Sequence, residues 1–290
     1  MKQMITQILG NKLINAAVRV PIKTFLSPLS NQWVKYFLIR IPVVAKFRVR
    51  LPDGNSLVIA SGRGPDPVGR RLFWWGFDAH EPETSSVFYK LAQESNTIFD
   101  VGANIGYFSL LASVANRKSR IVAFEPLPEF FKCLKGNIDV NLASNVIALS
   151  AAVTNYDGKI ILFVNEQESS IIEGFRSPKA EMEVAAVTLD SYVKEAQIDK
   201  VDLIKIDVET GEPRVFEGMQ YILKRDEPRI ICEVLCKETE VFFNSFLSDY
   251  AYRFYWITDD GLVRKDIIVY DEKYRYRNYL FTKDNVNGFI

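Results

Sequence analysis

The heptapeptide Asp100-Val101-Gly102-Ala103-Asn104-Ile105-Gly106 has the residue types and spacing of a ligand-binding turn. The apolar Thr97-Ile98-Phe99 before it reads as a short buried strand, and Phe108, Leu110, Leu111 and Val114 after it recur at helical spacing. An acidic strand end followed by a glycine-rich turn into a helix opens a nucleotide crevice at the carboxyl edge of an α/β sheet. A dinucleotide would need Gly-x-Gly-x-x-Gly, so that the backbone could approach a pyrophosphate at the helix start. Here the spacing is Gly102-x-x-x-Gly106, followed by the bulky Tyr107 and Phe108. Such a turn suits a ligand with ribose and adenine but no phosphate, and S-adenosylmethionine is that ligand. Glu125, 25 positions after Asp100 and at the end of the next apolar run, can accept hydrogen bonds from both ribose hydroxyls. Asp100, Gly102, Asn104, Gly106 and Glu125 are the candidate cofactor-binding residues.

Displacement at a sulfonium methyl is an in-line transfer from an already activated donor, so positioning supplies much of the rate. A hydroxyl acceptor must also lose a proton, which calls for a general base or a metal ion. With one histidine in 290 residues, carboxylates are the available groups. Asp207 and Glu209 follow the apolar run 201–206, and Glu233 follows 228–232, so all three lie where neighbouring strands end. They are the candidate catalytic residues. Asp207 reads as a catalytic or ligand-contacting group in preference to a loop hydrogen-bond acceptor. For Glu233 three readings stay open: a substrate contact, a metal ligand shared with Asp207, or a salt-bridged edge residue. Glu212 reads as a first-turn helix glutamate favoured by the dipole, His80 as a loop residue capping something local, and Asn137 and Asn141 as fixing the turn into the third strand. The lone histidine removes any multi-histidine metal centre, and no motif supports a divalent ion.

The elements that must carry these groups follow from periodicity. Apolar runs at Thr97–Val101, Arg120–Phe124, 145–149, 201–206 and 228–232 read as strands, and the first two are followed by helical patterns, as is the fourth. Val215, Phe216, Met219, Ile222 and Leu223 give a single helix with Pro213 in its first turn. After 152–153 the expected helix is missing, and a β-rich insertion turns at Asn155-Tyr156-Asp157-Gly158, runs through 159–164 and returns near 184–189. The polar stretch 165–184 between them, with Glu166, Glu168, Ser169, Ser170 and Arg176, reads either as a lid facing the acceptor or as a mobile surface loop. Upstream, 45–51 and 57–59 flank Pro52-Asp53-Gly54-Asn55 as a hairpin. Residues 61–82 are loop-like but carry Phe73, Trp74, Trp75 and Phe77, and 83–93 is a helix. The last forty residues read as a strand pair around Asp259-Asp260-Gly261, closing with Tyr279-Leu280-Phe281. Strands alternating with helices argue for a mostly parallel α/β sheet covered by helices on both faces.

Composition narrows the setting. The 36 basic and 36 acidic residues balance, so no global field favours nucleic acid. Cys133, Cys232 and Cys236 sit in apolar segments without zinc spacing, as in a reduced, cytoplasmic protein. No secretory signal is read in residues 1–20; Met4, Ile5, Ile8, Leu9, Leu13 and Ala17 instead recur at helical spacing among Lys2, Lys12 and Arg19. The apolar stretch 33–44 is too short and too charged to span a bilayer. The N-terminal helix is expected to pack on the main domain or on a second copy as a homodimer contact, the alternative being a peripheral membrane anchor.

Phe99–Gly106, Phe124-Glu125-Pro126, Val187-Thr188-Leu189-Asp190 and Asp202–Glu209, in that order, resemble the FkbM-type methyltransferases over roughly residues 46 to 285. The resemblance implies a class I methyltransferase (Rossmann-like) fold with a seven-stranded sheet and one antiparallel strand near the C-terminus. It also implies methyl transfer from S-adenosyl-L-methionine to a hydroxyl of a sugar, a glycan or a polyketide-like product. The family commonly continues the fourth motif as Glu-Gly-Ala-Glu, whereas this chain has Glu209-Thr210-Gly211-Glu212. The implied organisation is an N-terminal helical extension at 1–45, a β-hairpin and helix leading into the core at 46–95, and the S-adenosylmethionine-dependent methyltransferase domain at 96–290. Two other function classes are weighed against an O-methyltransferase: a nicotinamide (NAD)-dependent oxidoreductase, disfavoured by the missing third glycine, and a binding relative without turnover. The partner implied is a small-molecule or glycan hydroxyl acceptor.

Overall fold

The computed structural model describes residues 38–39, 43–61, 66–164, 169–170 and 180–286. The N-terminal helix, with its membrane and dimer readings, and most of the 165–184 lid lie outside the described residues. Among the described residues no helix is long and apolar enough to cross a membrane.

The expected hairpin forms from β1 (Ala45–Arg50) and β2 (Ser56–Ser61), paired antiparallel from Ala45↔Ser61 to Arg50↔Ser56. Phe47 and Val49 face inward while Lys46, Arg48 and Arg50 face water, the period of a half-buried strand. The loop-like reading of 61–82 is corrected. Residues Pro67–Trp75 form helix α1, whose first turn is capped by Asp66 accepting from Gly69 N at 2.6 Å. The signal was a short one, Asp-Pro at a helix start, in a segment whose aromatics mask any 3.6 period. Phe73 and Trp74 are core residues, with Phe73 edge-on to Phe47 at 5.3 Å. A 3₁₀ turn at Phe77–Ala79 leads into α2 (Pro82–Gln93).

Strand β3 (Thr97–Val101) feeds α3 (Tyr107–Ala115), β4 (Arg120–Phe124) feeds α4 (Pro128–Val140), and β5 (Val146–Leu149) follows. The insertion contributes β6 (Ala152–Val153), β7 (Gly158–Val164), β8 (Ser169–Ser170) and β9 (Ala180–Val187). These pair as a separate four-stranded sheet in the order β6-β9-β7-β8. The crossover helix that the sequence seemed to lack comes after it, as α5 (Leu189–Glu195), capped by Thr188 Oγ1 accepting from Ser191 N at 3.0 Å. Then come β10 (Leu203–Ile206), α6 (Glu212–Glu217), α7 (Gln220–Arg225), β11 (Arg229–Glu233), α8 (Lys237–Phe246), β12 (Arg253–Thr258), β13 (Gly261–Lys265) and β14 (Asn278–Thr282).

The single helix expected over Val215–Leu223 is two. A Cβ at Gly218 would sit 2.2 Å from Thr154 O, so the insertion's backbone presses on the chain there and the helix breaks. Asp190 bridges the break from below: its carboxylate accepts from Tyr221 N at 2.9 Å and Ile222 N at 3.0 Å, capping α7.

The main sheet runs β13-β12-β14-β11-β10-β3-β4-β5. Neighbours from β5 to β11 pair in parallel, while β14 is antiparallel to both β11 and β12. The seven-strand arrangement is present with an eighth strand added: Thr258 pairs with Gly261 across Asp259-Asp260, and β13 extends the edge antiparallel to β12. Helices cover both faces. One core joins the hairpin and α1–α4 to Ile98, Ile121 and Leu203, and the other joins α5–α8 to Phe99, Val122 and Ile204. Alternation thus sends Asp100 and Lys205 to the α3 face. The order in which strands are added to the sheet reverses between the parallel neighbours β3 and β10, which makes their carboxyl ends the topological switch point.

Asn141 closes the end of α4 before β5, its Nδ2 donating to Asn137 O at 2.7 Å, and both asparagines also hold the hairpin on. Asn137 Oδ1 accepts from Ala60 N and Asn141 Oδ1 from Val58 N, both at 2.7 Å, while Asn137 Nδ2 donates to Ile105 O at 2.8 Å. Asn137 therefore ties β2, α4 and the glycine turn through one buried amide. Asn137→Leu keeps the branching at Cγ but strands Ala60 N–H and Ile105 C=O, and is expected to lower stability by about 2–3 kcal/mol. Urea denaturation followed by tryptophan fluorescence measures it.

Candidate functional site

Beyond the carboxyl end of β3 the chain turns so tightly that Gly102 N and Ala103 N both donate to Phe124 O, at 3.0 and 2.9 Å. Gly102 has φ 83°, and a Cβ there would lie 1.8 Å from Asp207 O. The turn is thus pressed against the loop after β10, and only glycine lets it in. Asn104 also takes positive φ (52°); its Oδ1 accepts from Ile105 N at 2.9 Å, the local bond that makes asparagine tolerant of this conformation. Gly106 starts α3 with φ 87°, and a Cβ there would meet Leu134 Cδ1 at 2.5 Å.

Glu125 closes this turn from the neighbouring strand. Its Oε2 accepts from Asn104 N and its Oε1 from Leu127 N, both at 2.8 Å. Each oxygen keeps a second lone-pair direction, so the carboxylate is oriented yet still able to accept from a diol. Burial pushes its pKa up to about 7, against the pull of the Leu127 and Asn104 donors. Leu127, Phe130, Ala152, Val153 and Leu162 line an apolar slot beside it.

One cleft continues from this slot across the ends of β3, β10 and β11. Its floor holds Asp100 and Lys205, directly opposite each other in the parallel register of β3 and β10. Asp100 accepts from Ser109 Oγ at 2.5 Å and, through burial, is raised to about 6. Lys205 is 0% exposed. Its Nζ is 3.4 Å from Asp207 Oδ2 and 5.2 Å from the Phe108 ring centroid. Burial would strip its proton, but Asp207, Glu81 and Glu233 outweigh burial and raise its pKa. Asp207 in turn is held below the usual carboxylate range: burial opposes ionisation, and Lys205 and then Arg277 overcome it. Glu233 lies 3.0 Å from Arg277 Nη1. Burial, reinforced by Asp207, still lifts it well above an ordinary glutamate.

Asp100, Gly102, Asn104, Glu125, Asp207, Glu209 and Glu233, named from spacing, all line this cleft. Gly106 does not; it shapes the start of α3 from behind, against Leu134. Of the three readings left open for Glu233, the geometry supports the salt-bridged one, with Arg277. Among the described residues no group of three metal-ligating side chains is found. Glu212 stands at the first position of α6 with its carboxylate buried, accepting from Val208 N at 3.2 Å and raised by burial to about 7, so it braces the β10 loop. His80 is the local cap expected, closing the 3₁₀ turn and accepting from Ser85 Oγ through its carbonyl, but its ring is free of that task. It lines the cleft with Glu81, Arg71 and Arg277, and none of these four was singled out for the site from sequence. Lys205 was missed as well, although a lysine inside Leu203-Ile204-Lys205-Ile206, in a buried parallel strand, is itself a signal.

The loop after β10 carries strain. Glu209 and Thr210 have φ 53° and 76°, whereas Gly211 has an ordinary φ of −84°. The displaced glycine of the fourth motif thus has a structural consequence. The left-handed position is filled by a β-branched threonine, and the glycine stands where none is required.

Residues 100–254 match the family model for the methyltransferase FkbM domain. Among curated proteins, the hexuronic acid methyltransferase AglP of Haloferax volcanii is 28% identical over 146 residues, 50% of this chain and 58% of that protein. The 31-O-demethyl-FK506 methyltransferase FkbM of Streptomyces tacrolimicus is 26% identical over 217 residues, 63% of this chain and 78% of that protein. The chain therefore spans little more than half the length of the first of these relatives. Among solved structures, the methyltransferase FkbM of Methylobacillus flagellatus gives a TM-score of 0.45 at 14% identity, covering 76% of this chain and 56% of that one.

Thr210→Gly removes a positive-φ cost of roughly 1–2 kcal/mol and adds back part of it as unfolded-chain entropy. A net gain of about 0.5–1 kcal/mol is expected in urea denaturation, and a loss of stability would mean that the threonine side chain holds the loop.

Proposed function

From the premise that the chain belongs to the FkbM methyltransferase domain family, we propose that it transfers a methyl group from S-adenosyl-L-methionine to a hydroxyl of a sugar or glycan. The observation that carries the donor assignment is Glu125, oriented by two backbone donors beneath a turn that admits only glycine at position 102. A carboxylate so placed accepts from a ribose diol, the slot lined by Leu127, Phe130 and Val153 takes the adenine, and nothing in the turn addresses a phosphate. When bound, the donor supplies a sulfonium-activated methyl group. The chain's own residues bind and orient it: the Gly102–Asn104 backbone and Glu125 on one side, the carboxylates Asp100 and Asp207 near the cationic centre. Asp207, Glu209 and Glu233 then border the acceptor, at the ends of β10 and β11.

A hydroxyl-rich acceptor suits a cleft lined with this many carboxylates and the cations Arg71 and Arg277. The curated hexuronic acid methyltransferase supports a carbohydrate as the first substrate to try, and a polyketide-like product, as for the FK506 methyltransferase, is the second. The family match leaves the nicotinamide-dependent alternative without support.

The test incubates the protein with S-adenosylmethionine labelled in its methyl group, glycolipid and polysaccharide fractions, and a hexuronic acid glycoside. Label recovered as an alkali-stable ether is the expected result. An alkali-labile ester would move the acceptor from hydroxyl to carboxyl, and no label in any fraction would remove the carbohydrate reading. Calorimetry tests the donor site separately. Ionised Glu125 is the form that receives the ribose hydrogen bonds, and its pKa is about 7. Affinity for S-adenosylmethionine is therefore expected to rise as pH climbs through 7 and to fall as it drops. Glu125→Gln should weaken binding by about 2 kcal/mol, roughly 30-fold, and flatten that pH dependence.

A further inference from the structure

His80 is the only histidine of the chain, and the fold sets it on the cleft wall between the 3₁₀ turn and α2. Its carbonyl accepts from Ser85 Oγ at 3.0 Å, which pins the peptide to the first turn of α2. The ring stands edge-on to Tyr107, with centroids 5.5 Å apart, and 6.1 Å from the Phe108 ring that also covers Lys205. So the backbone and two aromatic faces hold the imidazole in place, but no side-chain hydrogen bond does. Its buried Nδ1 has no partner. A buried nitrogen left this way is costly; it is closed off from the cleft, so Nε2, which is neither buried nor hydrogen-bonded, is the atom left to meet a ligand in the cleft that His80 lines.

Of the other carboxylates at this end of the cleft, Asp207 faces Lys205 and Glu233 is paired with Arg277, while Glu209 is carried on the strained loop after β10 and Glu81 adjoins His80 in the chain. We propose that His80 is the general base that takes the proton of the acceptor hydroxyl, with the acceptor seated over the ends of β10 and β11 among His80, Glu81 and Asp207. This assignment rests on the O-methyltransferase reading above. As the acceptor oxygen bonds to the methyl carbon, the carbon–sulfur bond of the donor breaks, its electron pair stays on sulfur, and the hydroxyl proton passes to the imidazole. Solvent then removes the proton.

The charges around the ring suit that cycle. Burial favours the neutral ring at rest. Arg71 of α1 and Lys205 of β10 oppose protonation, while Glu81 of its own peptide and Asp207 after β10 favour it. From α3 the ring meets only Tyr107 and Phe108. The base is therefore neutral before reaction, with two carboxylates ready to stabilise the imidazolium it becomes.

The lone histidine makes the test clean, because one set of imidazole resonances in the NMR spectrum reports one residue. In wild type the ring is expected to titrate below an ordinary histidine, and the acidic limb of kcat/KM should follow the same pKa. A ring still protonated at pH 7.5 overturns the proposal. With the labelled donor and the carbohydrate acceptor that wild type methylates, His80→Gln should lose about 10²–10⁴-fold in kcat while S-adenosylmethionine affinity by calorimetry stays within two-fold. His80→Gly should regain at least ten-fold on addition of imidazole, which a purely structural role would not allow. Near wild-type turnover in His80→Gln, or no rescue of a folded His80→Gly, overturns it. An ester product also overturns it, since a carboxylate acceptor has no proton to give up. Failure of the methyltransferase reading appears elsewhere, in wild type, as no donor binding or no labelled product.

Discussion

A lysine ammonium without access to water sits in the middle of the main sheet, and the cleft is built around it. Lys205 is 0% exposed on the central strand β10. A buried charge is tolerated only when it is paired. The pairing comes from Asp207 two residues on and from the more distant Glu81 and Glu233. Removing such a partner would leave an uncompensated charge, a penalty on the order of 3–5 kcal/mol. The lysine thus keeps Asp207 ionised in a site where burial pushes Asp100 and Glu125 towards neutrality.

The glycine turn and the loop after β10 are mechanically one unit. The backbone of Gly102 rests against the carbonyl of Asp207 with no room for a methyl group between them. Any shift of the β10 loop is therefore felt by the glycine turn, and through Asn104 N by Glu125. The strained Glu209-Thr210 pair lies in that same loop. Strain persists only where the surroundings over-determine it, and here β10, the Glu212 carboxylate on Val208 N and the glycine turn do so together. The N-terminal hairpin belongs to the unit as well, because Asn137 joins β2 to the carbonyl of Ile105 inside the turn.

Much of the fold was legible because it is written in short-range terms. Five parallel strands appeared as apolar runs ending in acid or turn residues, and a buried strand needs nothing more to be recognised. The elements that escaped are those set by contacts distant in sequence. Helix α1 is nine residues of mixed aromatics whose only local mark is Asp66-Pro67. The break between α6 and α7 exists because Thr154, more than sixty residues earlier, occupies the space a continuous helix would need at Gly218. The extra edge strand β13 follows from a two-residue turn that sequence marked, but whether that hairpin joins the main sheet is a matter of packing.

For the site, the sequence by itself determined the chemistry of the strand ends and of the turn. Asp100, Glu125, Asp207, Glu209 and Glu233 occur where strands stop, and Gly102 where φ must be positive, because those demands act within a few residues. Only the tertiary structure decided which of these groups remain free to act. It joined Asp207 to Lys205 and Glu233 to Arg277, removed Gly106 from the cleft wall, and brought in His80 and Glu81 from a segment preceding the sheet. Pairing and burial are properties of neighbours in space, and a side chain's basicity is set by those neighbours far more than by its place in the chain.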